Sequence, residues 1–444
     1  MKLYKYNRKN LMATLPDGLI LLTSAEVKGR NSDVDYRFRQ DSNFLYLTGN
    51  PHPDYALLLD PKTKAAHLFL PDLDPHYQIW VGKQMTTKAA KTFYGTENAH
   101  YVSEFPKIFN SLKKKYKKLY RLGNSIPFLK KHNLKISTAA DKALAIALSE
   151  LRIRKSSEEI ENMRTANSIS REGHVAAMRG VRPGQFEYQA QALLEKEFLA
   201  GGAIHNAYPS IVASGKNAAI LHYHDNNMPC RNGDLLLIDA GCEWNGYASD
   251  ITRTFPVNGR FTTEQKEIYE VVLKAQKECI AMVRPNITMV DIHRHACRTI
   301  MQGLMDLGIY HRGNVDEIIK NEAHAVFFPH GIGHLLGLDV HDVGAIDPKA
   351  KPDKNKPKYL RASRKLEPNF AITVEPGIYF IEAHFNNPAT RKKTAKHINW
   401  KKAETYRSVG GIRIEDDILV TKNGYENLTN VPKEVAEIES VMAS

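Results

Sequence analysis

Cysteine is scarce, with four in 444 residues. Cys230, Cys242, Cys279 and Cys297 show no CxxC spacing. That excludes a disulfide scaffold and argues against a thiolate zinc site. It fits a reducing compartment. Long apolar runs are also missing, and none approaches the ~18 residues a membrane helix needs. After Lys2, Lys5, Arg8 and Lys9 the apolar stretch breaks at Pro16-Asp17-Gly18, too early for a secretory signal. The expectation is a cytoplasmic protein with no membrane partner. Acidic residues are the minority, 49 against 62 Lys and Arg, giving a net charge of +13. A basic balance permits nucleic-acid contact without requiring it. The densest basic run, 113–118, holds one aromatic, Tyr116, where a nucleic-acid patch needs several interleaved with basic residues. It reads as the solvated face of a helix carrying Leu112, Leu119 and Tyr120, and no nucleic-acid partner is expected. With 42% hydrophobic and 25% charged residues, the chain is neither disordered nor a coiled coil.

What is present is an α/β (α+β) pattern in two parts, 1–152 and 153–444. In the first part, residues 18–23, 43–48, 55–60 and 66–71 read as strands of a mixed sheet, the last two joined by a turn at 61–64. A helical pair spans about 137–180, and Ser156 with Glu159 forms a capping-box signature. From about 160 helices alternate with longer strands at 234–239, 246–255, 371–375 and 411–420. Residues 348–364, rich in lysine and proline, read as an exposed loop, and a second polar insertion covers about 383–408.

Carboxylates inside these strands carry the chemistry. Asn245-Gly246 between two apolar runs signals a hairpin. With that turn, Asp239 faces Thr252, and Asp250 shares the face of Thr252. The two aspartates are then diagonal neighbours. The apolar run Leu235 to Ile238 implies burial, and two buried carboxylates repel unless something positive lies between them. The alternative is a pair of exposed aspartates on an edge hairpin. His330 and His334 stand four apart in His330-Gly331-Ile332-Gly333-His334. The glycines disfavour a helix and suit a tight strand segment. His341 follows. Glu375 ends a buried-type strand before Pro376-Gly377. Period two puts Arg413 and Glu415 on one face, away from Ile412 and Ile414; a simple ion pair is the alternative. Asp239, Asp250, His334, Glu375 and Glu415 form a hard, oxygen-rich set that suits two Mn²⁺, Co²⁺ or Zn²⁺ ions. Two such ions can hold a bridging hydroxide and polarise a carbonyl.

These residues lie in segments that occur together in one family. The segments are 218–223, 237–241, 249–255, 330–334, 340–344, 373–379 and 411–417. The chain resembles the proline-specific metallopeptidases of the pita-bread fold, aminopeptidase P and prolidase. Residues 36–100 look like the amino-terminal domain of aminopeptidase P. The resemblance implies a mixed-sheet domain over 1–152 and a pita-bread catalytic domain over 153–444. It implies Asp239, Asp250, His334, Glu375 and Glu415 as ligands of two divalent ions, Mn²⁺ foremost, with Asp250 and Glu415 bridging. Glu375 would also shuttle the proton of the attacking hydroxide. His222 and His341 would flank the substrate, His330 and Tyr379 would line its site, and Arg413 would orient Glu415. The implied substrate is a proline-containing peptide and the implied assembly a homo-oligomer, dimer or tetramer. Residues 204–275 look closest to aminopeptidase P, whereas 359–366 and the insertion before Gly410 look more like prolidase. There the arginine matching Arg361 binds a dipeptide carboxylate; the alternative for Arg361 is a solvated loop residue. Aminopeptidase P is the leading reading and prolidase the second. Non-catalytic pita-bread binding modules are a third, and they would lack some ligands that this chain retains.

Overall fold

The computed structural model describes residues 2–122, 138–348 and 356–444. They fall into two compact units, Met1–Arg152 and Ile153–Ser444. In the first, five strands pair in the order Asn98–Tyr101, Ala65–Leu70, Ala56–Asp60, Gly18–Thr23, Lys118–Arg121. The Gly18–Thr23 strand, Gly-Leu-Ile-Leu-Leu-Thr, is buried along its whole length, as a central strand covered on both faces must be. The helix Phe105–Lys113 covers one face with Phe105, Phe109 and Leu112.

Two local expectations fail here for physical reasons. Residues 43–48 are helical, in Ser42–Thr48, rather than a strand. Asp41 caps the helix by accepting from the backbone N–H groups of Asn43 and Phe44, and Gly49 ends it at φ 66°. The basic run is solvated as expected, but not on one helix. The helix stops at Lys113, and Leu119 and Tyr120 lie on the Lys118–Arg121 strand. Part of the lysine-rich loop, 349–355, lies outside the described residues.

The second unit packs the helices Ser157–Gly180 against Glu187–Ala200 and Thr263–Met282 against Met289–Asp306. Ser156 and Glu159 form the expected capping box. Small antiparallel sheets sit among these helices. One has Leu235–Asp239 between Ile211–Ser214 and Thr252–Pro256, and another has Asp416–Val420 between Ala371–Val374 and Tyr425–Asn427. Gly377–Tyr379 pairs with Gly411–Arg413. Asn245 and Gly246, at φ 51° and 84°, make the turn, and Asp239 is the cross-strand partner of Thr252.

Two strands expected to be continuous are broken, and a site carboxylate stands at each break. Tyr247–Ala248 and Thr252–Pro256 are separated at Asp250, whose backbone N–H donates to Asp417 Oδ2 at 3.0 Å instead of to a ladder partner. Gly411–Arg413 and Asp416–Val420 are separated at Glu415, whose N–H donates to the Thr252 carbonyl at 3.1 Å. The glycine-rich segment before His334 runs beside the Ala371–Val374 strand. The N–H of Glu375 donates to Ile332 O at 2.8 Å, and that of Thr373 to His334 O at 2.9 Å. A Cβ on Gly333 would lie 2.1 Å from the Thr373 carbonyl oxygen.

Gly333→Ala therefore forces this pairing apart and shifts His334. It should destabilise the chain by about 1–3 kcal/mol. Gly424→Ala, where a Cβ meets nothing within 4 Å, should stay within about 0.5 kcal/mol of the parent. Denaturant unfolding of the two variants beside the parent measures both.

Candidate active site

The broken strands converge on a buried polar centre. Asp250, His334 and Glu415 each present one donor atom, and the three atoms lie within 4.8 Å of one another. His334 Nε2 is 3.3 Å from Asp250 Oδ2 and 3.7 Å from Glu375 Oε1. Its Nδ1 faces the Leu335 carbonyl at 3.0 Å, which fixes the ring and leaves Nε2 toward the carboxylates. Asp239 joins through Tyr208, whose hydroxyl lies 2.6 Å from both Asp239 Oδ1 and Asp250 Oδ1. Arg413 closes the group, donating to Asp239 Oδ2 at 2.5 Å and to the Tyr379 hydroxyl at 2.9 Å.

Arg413 was expected to orient Glu415. Its ion pair is with Asp239, and it reaches Glu415 through Thr252. Arg413 Nε donates to Thr252 Oγ1 at 3.1 Å, and that hydroxyl donates to Glu415 Oε2 at 2.6 Å. Tyr208 and Thr252 are the residues sequence reading missed as site residues. Thr252 was placed opposite Asp239 by the hairpin signal, but nothing marked its hydroxyl as a bridge. Tyr208 lies just before a strand, and no motif singles it out.

Of the remaining expected residues, His330 shares a hydrogen bond with the Tyr379 hydroxyl at 2.8 Å, and its Nδ1 is 3.7 Å from Glu375 Oε2. His341 is exposed and meets His334 edge-on, with ring centroids 4.3 Å apart. His222 and Arg361 are exposed, and both act on His341 electrostatically.

Electrostatics mark the centre as unbalanced. Four carboxylates face one guanidinium and one imidazole. Burial pushes Glu415 well above the carboxylate range, and the charges of Asp250, Glu375 and Asp239 push it further. Burial raises Glu375 to about 7 against the pull of His334 and Arg413. Burial also raises Asp239 in spite of Arg413. Burial disfavours charge on His334, yet Asp250, through its hydrogen bond and charge, and then Glu375 hold its pKa up at about 9. Asp250 is lowered because His334 outweighs its burial. His330 is pushed down to about 3 by burial and then by Arg413, so its ring is neutral. Three carboxylates pushed upward in one volume, Asp239, Glu375 and Glu415, are a set that added positive charge would stabilise. With no thiolate among the donors, the set fits hard or borderline divalent ions.

Comparisons with known proteins agree with this chemistry. Residues 161–422 match the model of metallopeptidase family M24, and residues 4–120 match that of the aminopeptidase P N-terminal domain. A Haemophilus influenzae Xaa-Pro aminopeptidase is 40% identical over 438 residues, covering 96% of this chain and 94% of the relative. The structure of a Pseudomonas aeruginosa aminopeptidase superposes with a TM-score of 0.84 at 40% identity, covering 99% of this chain and 97% of that one. A zinc-substituted Escherichia coli aminopeptidase P in complex with product superposes with a TM-score of 0.84 at 35% identity, covering 100% and 98%. The chain belongs to metallopeptidase family M24, and within it to the Xaa-Pro aminopeptidases rather than the prolidases.

Proposed function

We propose that this chain hydrolyses the Xaa-Pro bond at the amino terminus of peptides. Asp239, Asp250, His334, Glu375 and Glu415 would hold two divalent cations, Mn²⁺ foremost, with Asp250 and Glu415 shared between them. The observation that carries this is the buried convergence of Asp250, His334 and Glu415 within 4.8 Å, next to two further carboxylates with raised pKa values. Bound ions supply an activated water and Lewis-acid polarisation of the scissile carbonyl. A tertiary Xaa-Pro amide has no N–H and its ring crowds the attack, so activation must come from the enzyme.

The chain's own groups do the rest. Glu375 would accept the proton of the attacking water and return it to the proline nitrogen. His341 and His222, both exposed, would hold the peptide and donate toward the carbonyl oxygen. Neutral His330 and Tyr379 wall the site. Arg413 favours the charged form of Asp239 against its burial and, through Thr252, fixes the carboxylate of Glu415. The protein would act in the cytoplasm as a homo-oligomer. No described helix is long and apolar enough to cross a membrane. A dipeptidase activity is the second reading, favoured by the electrostatic effect of Arg361 on His341.

Two outcomes follow. In chelator, Glu375 binds its proton more tightly folded than unfolded, since 4.5 rises to about 7. The native state then holds the extra proton, so stability is full below pH 4.5 and falls as pH rises toward 7. Glu375→Gln keeps the neutral form at every pH. Its advantage over the parent should be near zero at pH 4.5 and on the order of 3 kcal/mol at pH 7.5. Thermal unfolding of both proteins across this range in excess chelator measures it; a constant difference would contradict the assignment.

The second outcome separates the two peptidase readings. The Mn²⁺-loaded chain should cleave Xaa-Pro-Xaa tripeptides well and Xaa-Pro dipeptides measurably. A charge-assisted contact from Arg361 to a dipeptide carboxylate is worth roughly 1.5–3 kcal/mol. Arg361→Ala should lower kcat/KM for dipeptides about ten- to a hundredfold and leave tripeptides nearly unchanged. A parent confined to dipeptides would establish the dipeptidase instead.

A further inference from the structure

A second cluster of donors lies in the same unit and shares no residue with the carboxylate centre. Its first two members are His293 and Cys297, on the helix Met289–Asp306. Four residues apart, they stand one above the other on one helix face. The third, His324, comes from the short turn Ala323–Val326. One ring nitrogen of each histidine and the Cys297 Sγ all lie within 4.8 Å of one another. His293 Nε2 is 3.5 Å from Cys297 Sγ.

Three observations distinguish this cluster from ordinary core packing. His293 is 5% exposed and Cys297 1%, so water does not solvate them freely. The Nδ1 atoms of both His293 and His324 are buried without a hydrogen-bond partner, and such orphans are rare in native proteins. His293 faces Cys297 with its Nε2, so it is at His324 that an ion bound through Nδ1 would relieve the orphan. The third is the spacing itself. With Zn–N near 2.0–2.1 Å and Zn–S near 2.3 Å at a tetrahedral angle, nitrogen and sulfur ligands of one ion lie about 3.5 Å apart.

We propose that His293, Cys297 and His324 form a separate site for a single Zn²⁺ ion, with its fourth position open. Both imidazoles are in the neutral, ligating form, since burial pushes His293 down to about 4 and lowers His324 as well. The thiol is pushed up to about 12 by burial. Binding therefore replaces the S–H bond by a Zn–S bond and releases one proton. His324 is only partly buried, which leaves a route for the ion. The donor set also separates the two centres chemically. Thiolate and imidazole select Zn²⁺, whereas Mn²⁺ prefers the oxygen-rich set. Cysteine spacing alone missed the site because two of its three donors are histidines.

Cobalt is the probe. A Co²⁺–thiolate bond gives a charge-transfer absorption in the near ultraviolet that oxygen and nitrogen ligands do not. The Co²⁺-loaded chain should show it. Cys297→Ser should lose it, and Asp250→Ala should keep it. Added Zn²⁺ should abolish the band and added Mn²⁺ should not. Zinc retained after dialysis of the Mn²⁺-loaded chain should fall by about one ion per chain in Cys297→Ser. The same loss is expected in His324→Ala, at a less buried position that the fold tolerates better. No charge-transfer band in the parent, with equal zinc retention in all three proteins, would overturn the proposal. Cys297 would then be only a buried thiol hydrogen-bonded to His293.

Discussion

Mutual repulsion among buried carboxylates is the constraint on which this catalytic unit depends. Asp250 and Glu415 are buried and Asp239 and Glu375 only partly exposed, so water screens the four poorly, and two cationic side chains do not balance four anions. Charges buried without partners are costly, and a protein tolerates them only where something else binds. The raised pKa values of Glu375 and Glu415 are the signature of that imbalance. The strand breaks at Asp250 and Glu415 follow from the same need. A continuous ladder would leave both residues on sheet faces, and the breaks let each side chain turn into one shared volume.

The second layer of residues holds that volume open. Arg253 donates to the Glu415 carbonyl at 2.7 Å and to Asp416 Oδ1 at 2.7 Å, and Lys433 also pairs with Asp416. Although burial opposes its charge, Asp416 is held well below the usual carboxylate range by Arg253 and Lys433. This neighbouring pair of acids divides the work. Asp416 is neutralised by protein cations and fixes the backbone, and Glu415 is left for the site. Thr252 is the hinge between them. Its carbonyl receives the Glu415 N–H, and its hydroxyl links Glu415 to Arg413.

Much of this was legible from residue type and spacing. The Asn245-Gly246 turn set the register that places Asp239 opposite Thr252, and period two correctly put Arg413 and Glu415 on one face. Gly331 and Gly333 marked a tight, non-helical approach to His334. What stayed hidden depended on tertiary partners. Residues 43–48 have strand-like composition, but Asp41 and Gly49 cap them as a helix. The strand breaks arise from bonds to Asp417 and Thr252, which lie 167 residues from Asp250 and 163 residues from Glu415. Tyr208 gains its place only because the strand that follows it, Ile211–Ser214, pairs with the one ending at Asp239. The direct ion pair of Arg413 went to Asp239 because both face the same volume from different sheets.

The claim that the carboxylates are arranged for cations can be tested without any substrate. Chelated protein would be titrated with Mn²⁺ by calorimetry near neutral pH, in two buffers of different ionisation enthalpy. Two ions should bind per chain, and the apparent enthalpy should change with buffer because Glu375 and His334, held up at about 7 and about 9, must release protons to bind metal. An identical enthalpy in both buffers, or no saturable Mn²⁺ binding, would contradict the account.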